Sequence, residues 1–314
     1  MYPAPGFQWK PWRFMSPSTK IKRMAGSWMG IALLCAASIT GCSRTTATLP
    51  PLVEGPGVPQ IPGKFVWHNL VTGDGEAARQ FYGKLFGWEF DVKEDGRYSV
   101  ITYQGRNLGG ILDTSKDGNM PKAGHWLSAI SVANIDSSLA AVDDAGGKQL
   151  EAPIDVPGVG RVVTVQDADG ALLHLLSSDN GDPPDVEPAV HTWLWHELLA
   201  NHADRALAFY ETALGYRIET LKKNPSSAYR VLWSSDEPRA GILQNPFERT
   251  RSTWVPYVRV DDPTALAARA AELGGRVIVE PQPNVRDGTL ALVLDPSGAP
   301  VALQKWSPKE EVNP

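Results

Sequence analysis

Glu197 follows His196 in the stretch WLWHEL, on the strand parity that also carries Trp195. A carboxylate turned into the interior there would have its pKa raised by desolvation and could serve as a general base. The competing reading is a polar side chain bonded to its neighbouring strand. In the related stretch FVWHNL the same place is taken by Asn69, which accepts and donates hydrogen bonds but has no acid-base function near neutral pH. His68, His125 and His174 are the residue type that binds a divalent ion, and His174 is a second catalytic candidate beside Glu197. Period-two alternation turns His68 to the opposite face from Trp67, so a three-His site needs a one-residue bulge. His196 stands where His68 stands, in a setting without partner ligands, which favours a structural role for both, such as a hydrogen bond to a helix or to the other copy.

Other chemistries find no support. No G-x-S-x-G elbow is present. Asn107–Gly110 and Gly158–Gly160 read as turn and close-packing glycines, not as phosphate loops. A net charge of −5 and a pI near 5.7 leave no basic footprint for nucleic acid. The chain has 11 Trp, several at strand ends, where they can fill a core or line a pocket.

The elements that must position these residues occur twice, at an offset of 128 residues. Trp67-His68 returns as Trp195-His196, Phe81-Tyr82 as Phe209-Tyr210, Trp126 as Trp254, Gly146-Gly147 as Gly274-Gly275, and Asp167-x-x-Gly170 as Asp295-x-x-Gly298. Gly110-Ile111-Leu112 returns 131 residues on, as Gly241-Ile242-Leu243, so three residues enter before it and three leave after it. A period this long suits a duplicated module of roughly 110–120 residues.

Within the first copy, Phe65 to Val71 reads as a strand, followed by a helix capped at Asp74 or Gly73 and stopped by Gly87. Strands follow at Trp88–Lys93, Tyr98–Tyr103 and Asn107–Leu112. The series then restarts with a strand at His125–Val132, a helix at Asp136–Asp144, and strands at Lys148–Ala152, Arg161–Gln166 and Leu172–Ser177. The second copy repeats this order from Thr192 to Trp306. The predicted class is α+β: two tandem modules, each a pair of βαβββ units forming a cupped mixed sheet with helices on its outer face. The concave face is where a small ligand would bind.

The N-terminus reads as an address. Lys20, Lys22 and Arg23 precede an uncharged run over 24–41 that ends Ile39-Thr40-Gly41-Cys42. That order is an export signal, and its end resembles the lipobox of bacterial lipoproteins, in which the Cys is acylated after cleavage. Residues 1–41 are then signal peptide, Cys42 is the lipidation site, and Met1, Met15 and Met24 are possible starts. The only other Cys, Cys35, falls in the removed segment, so the exported part has neither disulfide nor structural thiol. Ser43 after the Cys points to the outer membrane, facing the periplasm, in a cell with two membranes. Residues 42–63 read as a Pro/Thr-rich tether, 64–178 as module 1, 179–190 as a linker, 191–306 as module 2 and 307–314 as a polar tail.

The succession D-x-x-x-A-x-x-F-Y-x-x-x-x-G-W/Y, then a helix ending in Gly-Gly, then D-x-x-G before an apolar strand, resembles the vicinal oxygen chelate superfamily. That group contains glyoxalase I, bleomycin-resistance and fosfomycin-resistance proteins and extradiol dioxygenases. The resemblance covers residues 64–178 and 191–306. It implies one divalent ion per active module, held by strand side chains with an open position for substrate oxygens. The implied positions fall on Trp67, Leu127 and His174 in copy one and on Trp195, Val255 and Ala302 in copy two. Metal ligation is absent from the second set and partial in the first. Two functions follow as expectations. The first is a lipid-anchored binding protein holding an apolar or aromatic ligand without metal, lined by Trp67, Asn69, Tyr103, Trp126, Trp195, Glu197, Trp254 and Tyr257. The second is a metal-dependent lyase, isomerase or dioxygenase with one ion in module 1 on His68, His125 and His174. In either case the modules pair within one chain, which can stand as a monomer.

Overall fold

The computed structural model describes residues 49–53, 57–93, 96–117, 123–221, 229–247 and 249–306. The segment read as a signal peptide, with Cys42, and the segment read as a polar tail lie outside the described residues.

Module 1 runs β1 (Phe65–Thr72), α1 (Gly75–Phe86), β2 (Glu89–Lys93), β3 (Tyr98–Tyr103), β4 (Arg106–Asp113), β5 (His125–Ser131), α2 (Ile135–Asp144), β6 (Lys148–Gln149), β7 (Ile154–Val156), β8 (Gly160–Gln166) and β9 (Leu172–Ser178). Module 2 runs β10 (Trp193–Ala200), α3 (Ala203–Leu214), β11 (Arg217–Leu221), β12 (Tyr229–Ser234), β13 (Glu237–Gln244), β14 (Thr253–Val260), α4 (Pro263–Glu272), β15 (Arg276–Val279), β16 (Leu290–Leu294) and β17 (Pro300–Lys305). The sheets have matching orders, β2-β3-β4-β1-β5-β9-β8-β6 and β11-β12-β13-β10-β14-β17-β16-β15, with β7 attached to β8. The strand expected over Lys148–Ala152 is shortened to β6, and β7 is a further strand beyond that span.

Each sheet is two βαβββ units joined through its first and fifth strands. β1 runs antiparallel to β5 and β10 antiparallel to β14. Local chemistry sets the helix ends. Asp74 caps α1 by accepting from the Ala77 N–H at 2.9 Å, and Gly87 ends it at φ 73°, a left-handed position that glycine fills without strain.

The helices lie between the convex faces of the two sheets, α1 against α4 and α2 against α3. One core joins Ile130, Val165 and Leu173 to Phe209, Tyr210 and Trp254, while the other joins Phe81, Tyr82 and Trp126 to Val258, Val293 and Leu303. Neither module therefore buries its convex face alone. The repeated motifs meet across this seam. Tyr82 Oη donates to Asp295 Oδ2 at 3.1 Å, and Tyr210 Oη donates to Asp167 Oδ2 at 2.9 Å. Each phenol also accepts from a tryptophan, Trp126 at 3.2 Å and Trp254 at 2.8 Å. Burial pushes the Asp167 carboxyl up to about 6 and raises that of Asp295.

Two segments expected as spacers are bonded into the fold. The Val58 N–H donates to Asn180 O at 2.9 Å, Gln60 Nε2 to Ser178 O at 3.0 Å, and the Gly63 N–H to Ser131 O at 2.8 Å. Leu52 packs against the cluster of Val66, Ala129 and Leu176. In the linker, Asp185 pairs with Lys64 at 2.8 Å and Arg239 at 2.7 Å. Proline-rich composition signals an extended chain, and here that chain finds partners for its backbone polar groups.

Candidate functional site: two cups with different contents

Strand parity decides which side chains enter each cup. In β1, Trp67, Asn69 and Val71 face the concave side, while His68 and Leu70 face the seam. β1 does carry a bulge, but it falls between Phe65 and Trp67, one step before His68. His68 therefore stays on the seam side, stacked on His196 at 4.8 Å, and does not join His125 and His174. Burial without a charged partner pushes the His68 imidazole down to about 3 and holds His196 well below its ordinary range. The two rings thus stack on each other between the modules.

Three proposed lining residues are on the wrong face. Trp126 and Trp254 project into the seam cores against Tyr82 and Tyr210, with ring centroids 5.5 and 5.4 Å apart. Tyr103 packs in the same core as Trp126, 5.9 Å from the ring of His191. Trp126 lies between His125 and Leu127 in β5, so a ligand face that holds those two excludes it.

In module 1 the cup is half-open and polar at its centre. Trp67 Nε1 donates to Asn69 Oδ1 at 3.1 Å and to Tyr98 Oη at 3.2 Å, and Tyr98 Oη donates to Asn69 Oδ1 at 2.8 Å. The Asn69 amide nitrogen takes no partner among the described residues. Trp67, Asn69, Tyr98 and His125 are all partly exposed. His174 lines the same face, one row along from Ala129, with Nδ1 3.1 Å from Thr164 Oγ1, and Thr164 bonds to Glu151. Desolvation pushes the His174 imidazole down to about 4, so the ring is neutral at pH 7.

Module 2 keeps the frame and closes it. Trp195 Nε1 donates to Tyr229 Oη at 3.0 Å, as Trp67 does to Tyr98. Glu197, at the place of Asn69, is wholly buried and accepts from Arg286 and Tyr257. The Arg286 guanidinium lies over the Tyr257 ring at 5.1 Å, and its Nη1 donates to Gln304 Oε1 at 3.4 Å. Arg286 arrives from a turn, Val285–Gly288, whose three consecutive positive φ values of 47°, 56° and 77° aim it inward. The position of module 1 that matches Arg286 is Gly158, without a side chain. Trp195, Val255, Tyr257, Leu292 and Trp306 fill the remaining space. Glu197 is therefore an ion-paired core carboxylate and not a free general base.

Tyr98 and Tyr229 were missed as lining residues. They stand 131 residues apart, the offset of Gly110 and Gly241, and those glycines face their rings. A Cβ on either glycine would collide with the paired phenol, so the Gly–Tyr spacing was a readable signal.

The residues do not fit the divalent ion that the fold family implies. Among the described residues, no group of three His, Cys, Asp or Glu side chains comes together. The positions under test hold Trp67, Leu127 and His174 in one cup and Trp195, Val255 and Ala302 in the other.

Residues 64–175 match the Glyoxalase/Bleomycin resistance protein/Dioxygenase superfamily, and residues 196–303 match the Glyoxalase-like domain. Among curated proteins, the chain is 32% identical over 250 residues to "Putative glyoxylase CFP32" of Mycobacterium tuberculosis, covering 78% of this chain and 95% of the relative. It is 29% identical over 256 residues to "Anthracycline biosynthesis protein DauV" of Streptomyces sp. strain C5, covering 76% and 91%. Among solved structures, the Mn(II)-bound glyoxalase from Novosphingobium aromaticivorans superposes with a TM-score of 0.53 at 18% identity, covering 78% of this chain and 82% of the other. The 2,2',3-trihydroxybiphenyl 1,2-dioxygenase of Sphingomonas wittichii also gives 0.53, at 12% identity, with 78% and 91% covered. The chain belongs to the glyoxalase/bleomycin resistance/dioxygenase superfamily, with two tandem modules of that fold.

Proposed function

We propose that this chain is a small-molecule-binding protein of the cell envelope, whose ligand occupies the cup of module 1 without a metal ion. The contrast in the cup centres carries this reading. Among the described residues, Asn69 keeps unpaired amide protons beside two partly exposed aromatic rings, whereas the matching Glu197 is consumed by Arg286 and Tyr257. A flat ligand with a carbonyl or hydroxyl can lie on Trp67 and Tyr98 and accept from Asn69. Neutral His174 offers a further polar contact at the floor. A relative named for anthracycline biosynthesis is consistent with a planar polycyclic ligand, since anthracyclines are of that class.

The test is a ligand-observed NMR screen of small aromatic ketones and phenols against the full chain, repeated with Zn, Mn, Ni and Fe(II) salts. Metal-independent hits that vanish in Asn69→Ala support the reading. Hits that require a metal and vanish in His174→Ala overturn it in favour of the metal-dependent enzyme. Envelope anchoring through Cys42, facing the periplasm from the outer membrane, is the second part of the proposal and is supported by the lipobox-like Ile39–Cys42 sequence. The unaltered chain should fractionate with membranes and Cys42→Ser should not, while an unaltered chain in the cytoplasmic fraction would overturn the anchor.

A further inference from the structure

Between the modules lies a cavity of about 180 Å³ that neither cup contains. Its floor is made from equivalent positions of the repeat. Phe65 stacks on His196 at 4.0 Å, His196 on His68 at 4.8 Å, and Trp193 meets His68 edge-on at 4.5 Å. The floor thus straddles the axis that relates the two copies. The walls break that symmetry. Module 1 contributes the β3–β4 hairpin with Arg106, Asn107 and Leu108, while module 2 contributes Pro238 and Arg239. The linker forms the roof, with Pro183, Pro184, Val186 and Pro188. Asp185 and Glu187 fasten it, the first to Lys64 and Arg239, the second to Arg259 at 2.9 Å.

One donor in the wall of this cavity lacks an acceptor. Lys64 and Arg239 share the carboxylate of Asp185, while Lys64 also donates to Pro183 O and Arg239 Nε to Ser234 O. Asp182, which also acts on Lys64, is taken up by Ser131, Ser178 and the Ile61 N–H. Arg239 Nη2 and His196 Nε2 are buried without a hydrogen-bond partner. Buried polar atoms in native proteins are nearly all paired, and a guanidinium nitrogen can only donate, so the Arg239 orphan in the cavity wall points to a missing acceptor. At the rim, exposed Arg106 has no acidic partner among the described residues. The aromatic floor and proline roof are unsuited to a bare inorganic anion.

We propose that this inter-module cavity is a second binding site, for a small carboxylate with a flat apolar body. The body lies between the Phe65–Trp193 floor and the proline roof, and the carboxylate accepts from Arg239 or Arg106. The site is independent of the module 1 cup.

Calorimetric titration of the full chain with benzoate, benzamide and acetate tests it. Benzoate should bind, and the neutral amide and the body-less anion should each bind at least about tenfold more weakly. Arg106→Ala and Ala189→Trp, both at exposed positions, should each weaken benzoate by about tenfold or more, the second by filling the mouth. Asn69→Ala should leave the affinity unchanged. The proposal is overturned by absence of benzoate binding up to about 10 mM, by equal binding of benzamide, or by loss of binding in Asn69→Ala.

Discussion

The cups of the two modules share a strand order and a Trp–Tyr hydrogen bond, but their centres differ. In one, Asn69 holds Trp67 and Tyr98 in a half-open lattice with amide protons to spare. In the other, Glu197, Arg286 and Tyr257 close on each other and exclude solvent. One substitution at the centre of the cup is coupled to a turn that delivers a guanidinium, and together they turn a half-open cup into a closed core. Duplication permits this difference: the seam needs both convex faces, while the concave faces are free to diverge.

The contrast is most sensitive to Glu197. Glu197→Ala leaves Arg286 buried without its partner and should cost about 3–5 kcal/mol in urea unfolding. Asn69→Ala removes only half-exposed hydrogen bonds and should cost about 1 kcal/mol. Replacing both members, Glu197→Leu with Arg286→Met, should recover most of the larger loss. Equal costs for the two single variants would erase the distinction between the cups.

The seam histidines come next. Their folded-state pKa values are depressed, His68 to about 3, so the unfolded chain binds protons first as pH falls below about 6.5. The stability they contribute is present in full above that pH and is lost progressively towards pH 3. Each neutral buried imidazole should cost roughly 1.4 kcal/mol per pH unit in that window. Asp167, raised to about 6, acts in the opposite sense, since its folded form binds protons first. The measurement is therefore the difference between the parent chain and His68→Phe at pH 7 and pH 5.5. The variant should lose less stability on acidification, and a pH-independent difference would contradict the buried neutral state.

Where the modules are alike, matched cuts should have matched effects. Tyr82→Phe and Tyr210→Phe each remove a phenol that bridges a tryptophan and an aspartate of the opposite module. Each should cost about 1–2 kcal/mol, agreeing to within about 0.5 kcal/mol. The smallest effect is expected at Leu52, where Leu52→Ala trims a partly buried contact with the cluster of Val66, Ala129 and Leu176 and should cost less than about 1 kcal/mol. A larger loss would make the N-terminal segment part of the module 1 core.

Much of the fold was legible because the repeat, the helix caps and the period-two strands are local patterns. The inward parity of Trp67, Asn69, Trp195, Glu197 and Tyr257 could be read the same way. Trp126, Trp254 and Tyr103 were selected as aromatics against the parity of their own strands, and they support the seam instead. The partners of the Phe-Tyr and Asp-x-x-Gly motifs lie in opposite copies, so one module taken alone does not reveal them. Arg286 comes from a left-handed turn with no periodic pattern, and its neutralisation of Glu197 was not readable from either residue.

The most direct test of the central claim follows the indole N–H signals of the chain labelled with 15N-tryptophan, assigned by Trp67→Phe and Trp195→Phe. Titration with an aromatic ketone from the screen should shift the Trp67 signal and leave Trp195 in place. A shift at Trp195 with Trp67 unmoved would show that the second cup, and not the first, takes the ligand.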